Sequence, residues 1–207
     1  MSLTSNSLAL YKEIASFDYL DNFTFVGGSA IAFYLHHRLS EDLDFFTWMD
    51  KLPYETSNFI NKLNKNHKVV IANSSDMFMD IFVDNVKLTL FANNWNALKS
   101  EREKIDGNIY IAKLELLSAM KINALSLRAK YRDYYDLFVI NKDRYDINDL
   151  LRYALKYIPG MTKKVFGMQL TYIADIEDEN IQHLSPKINV SLKEIQMHFV
   201  TEIKKII

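Results

Sequence analysis

Residues 25–46, FVGGSAIAFYLHHRLSEDLDFF, constrain the fold more than any other stretch of the chain. The compact apolar run Phe23–Val26 stops at Gly27-Gly28, a helical pattern follows from Ser29 to Leu39, and Asp42–Phe46 then alternates with period two. Strand, glycine turn, helix and strand in that order open a mixed α/β fold. Two of only five glycines stand together at the turn, where backbone lacking Cβ atoms can approach a ligand and aim N–H groups at an anion. Ser29 is placed to cap the helix or touch a phosphate. Asp42 and Asp44 lie two apart on the predicted strand, so their carboxylates share one face while Leu43 and Phe45 take the other. Such a pair suits Mg²⁺ carrying a triphosphate, because Mg²⁺ commonly takes one or two protein carboxylates and fills its shell with phosphate oxygens and water. Taken singly, Gly-Gly is a plain loop and Asp-x-Asp a solvated strand edge; the ordered combination points to a site. No Gly-Lys-Ser/Thr follows, which excludes a P-loop, and G-x-G-x-x-G is absent, which excludes the dinucleotide fingerprint.

A second constellation lies in Ile111–Ile140, which reads as one long helical pattern broken at most once. Leu116, Met120, Leu127, Tyr131, Tyr134 and Phe138 form the expected core stripe. Lys121, Arg128 and Arg132 form a second stripe about 100° round, beside Leu117 and Leu125. Cations among apolar neighbours need acidic partners or an anionic ligand. Two readings stay open: the three side chains reach water or pair with Asp133 and Asp136, or they line a triphosphate pocket. In the second, Arg forks take phosphate oxygens and a Lys point charge offsets developing negative charge.

The remaining sequence sets bounds. With 49% hydrophobic residues, thirteen Phe and twelve Tyr, the chain is too apolar for disorder, and five Gly and three Pro are too few for a turn-rich β-sandwich. The absence of cysteine excludes disulfides and Cys-based zinc sites. A net charge of -1 provides no global field for nucleic acid, so an anion must be held locally. No export signal or apolar membrane-spanning run appears, and the expected compartment is the cytoplasm. Helices are expected at Leu8–Phe17, Tyr54–Asn64, Ile147–Tyr157, Thr162–Tyr172 and Leu192–Ile207, and strands at Val69–Ala72, Met77–Val83 and Val86–Phe91, the last two joined by an Asp84-Asn85 hairpin. His36-His37 falls on the predicted helix, where adjacent side chains diverge by about 100°, so surface or packing roles are expected for them.

Phe25–Phe46 and AMKINALSLRAKYRDYYDLFVI (Ala119–Ile140) resemble the AbiEii/AbiGii-type nucleotidyltransferase toxins, a branch of the DNA polymerase β-like nucleotidyltransferase superfamily. The likeness spans roughly Leu20 to Ile140. It implies an α/β (α+β) fold: a nucleotidyltransferase-like mixed sheet flanked by helices over residues 1–106, then a C-terminal helical bundle over 107–207 that completes the active-site cleft. It further implies that Gly27, Gly28 and Ser29 hold nucleotide phosphates and that Asp42 and Asp44 bind Mg²⁺. Lys121 is implied to meet the nucleotide, with Asp136 (Asp133 as alternative) as the later acidic residue. Arg38 is implied to support the carboxylates or contact phosphate, and the basic stripe adds Arg128 and Arg132 as expected nucleotide-binding residues, either of which would offset charge beside Lys121. The implied activity is Mg²⁺-dependent transfer of a nucleotide from an NTP to an acceptor, tRNA or another RNA. The implied setting is the toxin of an abortive-infection or toxin-antitoxin pair, with a cognate antitoxin and no membrane.

One position departs from that pattern. The superfamily often carries a third carboxylate on a later strand, but Val86-Lys87-Leu88-Thr89-Leu90-Phe91 places Thr89 there, and Asp80 on the preceding strand reads first as an edge-strand charge. A third carboxylate supports a second metal or deprotonates the attacking hydroxyl. Its replacement keeps a second reading open, a catalytically impaired nucleotide- or protein-binding relative of the same fold.

Overall fold

The computed structural model describes residues 2–177 and 179–206. They fall into two compact units, Met1–Phe33 with Leu39–Lys113, and Tyr34–Arg38 with Leu114–Ile207.

The first unit is built on a seven-stranded mixed sheet of β1 (Thr24–Val26), β2 (Leu43–Thr47), β3 (Val69–Ser74), β4 (Phe78–Val83), β5 (Val86–Ala92), β6 (Arg102–Asp106) and β7 (Ile109–Ala112), in the order β3-β4-β5-β2-β1-β7-β6. Helices α1 (Ser5–Ile14), α3 (Thr56–Leu63) and α4 (Ala97–Ser100) belong to this unit, and α2 (Gly27–Leu35) starts in it. β1 is antiparallel to β2, and β2 is parallel to β5. The alternation of DLDFF works as its period demands: Leu43, Phe45 and Thr47 are buried while Asp44 and Phe46 are half-buried. On the apolar face the Phe25 ring packs at a tilt, 5.2 Å from Phe45 and 5.8 Å from Tyr11 between centroids. Each such side chain contributes on the order of 1.5–3 kcal/mol when fully buried. The β4–β5 turn at Asp84 (φ 46°) and Asn85 (φ 72°) takes two positive φ angles, the signature of a tight hairpin whose twist matches its strands.

The second unit is helical: α5 (Leu114–Arg128), α6 (Tyr131–Asp143), α7 (Ile147–Tyr157), α8 (Lys163–Thr171) and α9 (Leu192–Lys204). Three of these helices start on side-chain caps expected of their sequences. The Asp146 carboxylate accepts from Asp149 N–H, Thr162 Oγ1 accepts from Val165 N–H, and Ser191 with Glu194 forms a capping box. Leu116, Leu137, Phe166 and Phe199 are fully buried among them.

The architecture is the expected mixed sheet followed by helices, with local corrections. The boundary expected between residues 106 and 107 falls inside the β6–β7 turn: Gly107 has φ +46°, and an added Cβ there would lie 2.2 Å from the Ala15 carbonyl oxygen. The sheet unit therefore runs on to Lys113. Ile111 and Ala112, read as the start of a helix, belong instead to β7, and Phe25 of β1 pairs with Ile111 in parallel. A short apolar run carries no period long enough to tell strand from helix. The long helical pattern breaks at Lys130, which is extended (φ -129°, ψ 157°). Leu127, on the last turn of α5, leaves the expected core stripe and is 77% exposed. α2 stops at Leu35 and His36 takes φ 49°, so the two histidines do not share a helix. Among the described residues no helix is long and apolar enough to cross a membrane.

Candidate active site

The first unit holds the glycines and the paired carboxylates. β1 runs directly into α2, whose first residues are Gly27 and Gly28, both half-buried. Gly27 has φ +76°, a left-handed backbone that side chains disfavour, and a Cβ on it would stand 2.3 Å from Asp44 Oδ2. The carboxylate of Asp44 thus occupies the space that glycine leaves, on a strand whose Asp44 pairs with Val26 of β1. Asp42 is exposed immediately before β2, and its approach is clamped residue by residue. Ser40 donates its N–H to Ser2 O (2.9 Å) and accepts from Thr4 N–H (3.0 Å), and Ser7 Oγ donates to the Glu41 carbonyl at 2.5 Å. Ser29 Oγ donates to the Asp42 carbonyl and lies 2.8 Å from Ser40 Oγ. Ser29 is 1% exposed, and its hydroxyl positions the backbone that carries Asp42.

Strand register extends this site across the sheet. Asp44 pairs with Thr89 of β5, and Thr89 pairs with Asp80 of β4, which puts the three side chains in one row on one face. Thr89 Oγ1 donates to Asp80 Oδ1 at 2.8 Å, and Lys87 Nζ lies 3.2 Å from Asp80 Oδ2. The expected bare strand-edge charge is in fact a buried, doubly engaged carboxylate, with Asp80 8% and Thr89 6% exposed.

The second unit gathers Arg38, Lys121 and Asp136 around a different centre. Asp136 is fully buried and accepts from Arg38 Nε (2.8 Å), Arg38 Nη2 (3.0 Å) and Lys121 Nζ (2.9 Å). His37 Nε2 lies 2.7 Å from its Oδ1, and Asp133 takes Lys121 Nζ at 2.7 Å. Burial alone would raise the Asp136 pKa, but Arg38, Lys121 and His37 outweigh it and hold the carboxyl well below the usual range. Burial likewise works against charge on Arg38 and Lys121, and their carboxylate partners reverse it, so both are raised. Arg38, expected to meet phosphate or the Asp42–Asp44 pair, is 4% exposed with its guanidinium fork on Asp136. Sequence reading missed His37, whose ring is fully buried and stacks at 5.7 Å on Tyr135; adjacency to Arg38 was the available signal.

The expected basic stripe dissolves at the α5–α6 break. Arg128 is exposed on the last turn of α5, and Arg132 turns its Nε (2.9 Å) and Nη2 (2.7 Å) to Glu179. Neither joins Lys121.

Among the described residues no trio of His, Asp, Glu or Cys is arranged to hold a metal ion. The Asp42–Asp44 pair beside a cradle that a Cβ would fill is nonetheless a donor set of the kind Mg²⁺ accepts when phosphate and water complete its shell.

The family model described as nucleotidyl transferase AbiEii toxin, type IV toxin-antitoxin system, matches residues 8–106. Residues 8–106, just under half of the chain, are similar to that family. They include Gly27, Gly28, Ser29, Arg38, Asp42 and Asp44, whereas Lys121, Arg128, Arg132 and Asp136 lie beyond the AbiEii match. An uncharacterized protein of Aquifex aeolicus (strain VF5) is 24% identical over 195 residues, 94% of this chain and 92% of its own. Among solved structures, a Helicobacter pylori chain described provisionally as a nucleotidyltransferase superposes with TM-score 0.61 at 19% identity, covering 98% of this chain and 95% of that one. MenT4, a nucleotidyltransferase toxin from Mycobacterium tuberculosis H37Rv, superposes with TM-score 0.58 at 13% identity, covering 97% of this chain and 88% of its own. The mixed sheet with its following helices is thus the nucleotidyltransferase fold of these neighbours.

Proposed function

We propose that this chain is a Mg²⁺-dependent nucleotidyltransferase that moves a nucleotide from an NTP to an RNA acceptor, tRNA foremost, as the toxin of a toxin-antitoxin pair in the cytoplasm. The observation that carries this reading is the Gly27–Asp44 fit: a helix N-terminus opened by glycine, set against a carboxylate in the segment similar to the AbiEii family. In the reading, Gly27 and Gly28 bring backbone N–H groups to the triphosphate at the head of α2. Asp42 and Asp44 hold Mg²⁺, which supplies charge neutralisation at the phosphates and lowers the cost of releasing pyrophosphate. Ser29 fixes the backbone that carries Asp42. Lys121 and Asp136 are assigned to the same reaction on the family resemblance. Within the helical unit Asp136 fixes the head of Lys121, whose side chain keeps 12% exposure. A cognate antitoxin follows from the family's description as a toxin-antitoxin component.

The test is direct. Purified protein with labelled NTPs, Mg²⁺ and total tRNA is expected to label RNA, and Asp42→Ala with Asp44→Ala is expected to abolish labelling. Persistence of labelling in the double variant sinks the assignment of the carboxylates. NTP binding without transfer by the unaltered chain favours instead the impaired-relative reading, for which Thr89 is the motivating observation.

A further inference from the structure

The row Asp44–Thr89–Asp80 carries an inference that rests on the nucleotidyltransfer reading and deepens it. A threonine hydroxyl has one proton to give and lone pairs to receive. Here the proton is committed, because a carboxylate only accepts and Thr89 Oγ1 lies 2.8 Å from Asp80 Oδ1. Asp80 is itself fixed, its second oxygen 3.2 Å from Lys87 Nζ. What remains on Thr89 Oγ1 is acceptor capacity alone, on the face it shares with Asp44 and one strand spacing away, about 4.8 Å. Two rows of that face border each other: the polar row just named, and Phe46, Phe91 and Phe78, whose rings meet edge to face at 5.1 and 6.2 Å.

The polarity of that spot selects its ligand. An ionised triphosphate offers only acceptors, so it gains nothing from an oxygen that cannot donate. A ribose hydroxyl offers a donor. We propose that Thr89 is an acceptor-binding residue that receives the hydrogen bond of the attacking ribose hydroxyl of the RNA, and that Asp80, held by Lys87, is a positioning residue that fixes the direction of the Thr89 hydroxyl. The chain thereby orients its acceptor with a Thr–Asp pair drawn from two strands where a single carboxylate would otherwise stand.

The experiment measures steady-state transfer with total tRNA varied at saturating NTP, together with NTP·Mg²⁺ affinity by calorimetry. Thr89→Val is expected to lower kcat/KM for tRNA at least tenfold and leave NTP·Mg²⁺ affinity within twofold. Thr89→Ser is expected to restore most of the loss. Asp80→Ala should behave like Thr89→Val, and Asp80→Asn, whose amide oxygen still accepts from Thr89, should recover most of the rate. Should Thr89→Val prove unstable, Thr89→Val with Asp80→Leu removes both partners, leaves no orphaned polar group, and carries the same expectation. Transfer at the unaltered rate in Thr89→Val, or a parallel fall in NTP·Mg²⁺ affinity, overturns this inference and leaves the nucleotidyltransfer reading standing. No transfer by the unaltered chain sinks that reading, and the inference with it.

Discussion

Asp44 Oδ2 lies 2.3 Å from where a Cβ on Gly27 would stand, closer than two such atoms can approach. Gly27→Ala must therefore displace the carboxylate or bend the head of α2, and at φ +76° it adds backbone strain of roughly 1–2 kcal/mol besides. The expected outcome is that Gly27→Ala weakens Mn²⁺ binding, read by calorimetry or electron paramagnetic resonance, nearly as much as Asp44→Ala does, although every carboxylate is kept. Unchanged Mn²⁺ affinity in Gly27→Ala would show that Asp44 is not held in place by this fit.

Ser29 argues a related point through the backbone. Its buried hydroxyl ties the Asp42 carbonyl to the first turn of α2 and meets Ser40 Oγ. Ser29→Ala leaves buried polar partners unpaired, which costs about 1–3 kcal/mol. Urea unfolding checks this cost. If Ser29 served phosphate in place of structure, the variant would lose NTP affinity with no loss of stability.

How far the sequence was legible follows from these same residues. Strand, turn and helix at Phe25–Phe46 could be read because apolar period and paired glycines are local signals, and Asp44's face followed from alternation. The row Asp44–Thr89–Asp80 could not be read, because register between β2, β5 and β4 is set by long-range pairing. The stripe of Lys121, Arg128 and Arg132 fails at the end of α5: Arg128 is exposed on its last turn, and extended Lys130 turns Arg132 away from the expected line. Arg38 and Asp136 each stand out in the sequence as charged residues, 98 positions apart, but sequence distance hides that they satisfy each other.

Asp136 sits at the centre of the helical unit's charges, and removing it takes a shared buried carboxylate from Arg38, Lys121 and His37 together. Breaking a buried pair by deleting one partner costs on the order of 3–5 kcal/mol, since the remaining charge is left uncompensated. Asp136→Ala is expected to lose about that much in urea unfolding. The combined variant Arg38→Met, Asp136→Leu is expected to recover a large share, because it removes the opposed charges together while Lys121 keeps Asp133 at 2.7 Å. A loss below about 1 kcal/mol in Asp136→Ala would show the cluster to be better hydrated than its geometry implies.

His67 provides a pH-dependent contribution whose sign is fixed by its partners. Its Nδ1 lies 2.6 Å from Asp84 Oδ2 and its Nε2 lies 2.8 Å from Glu13 Oε2. Carboxylates accept only, so both ring nitrogens donate and the ring is protonated. The hydrogen bonds to Asp84 and then Glu13 raise the His67 pKa above its ordinary 6.5. A raised folded-state pKa means that the stabilisation is complete below about pH 6.5, the unfolded value, and fades as pH rises through the folded one. The melting temperature of the unaltered chain should exceed that of His67→Gln by more at pH 6 than at pH 9. Thermal melts of both proteins across that range check it, and a gap that widens with rising pH would reverse the assignment of the proton.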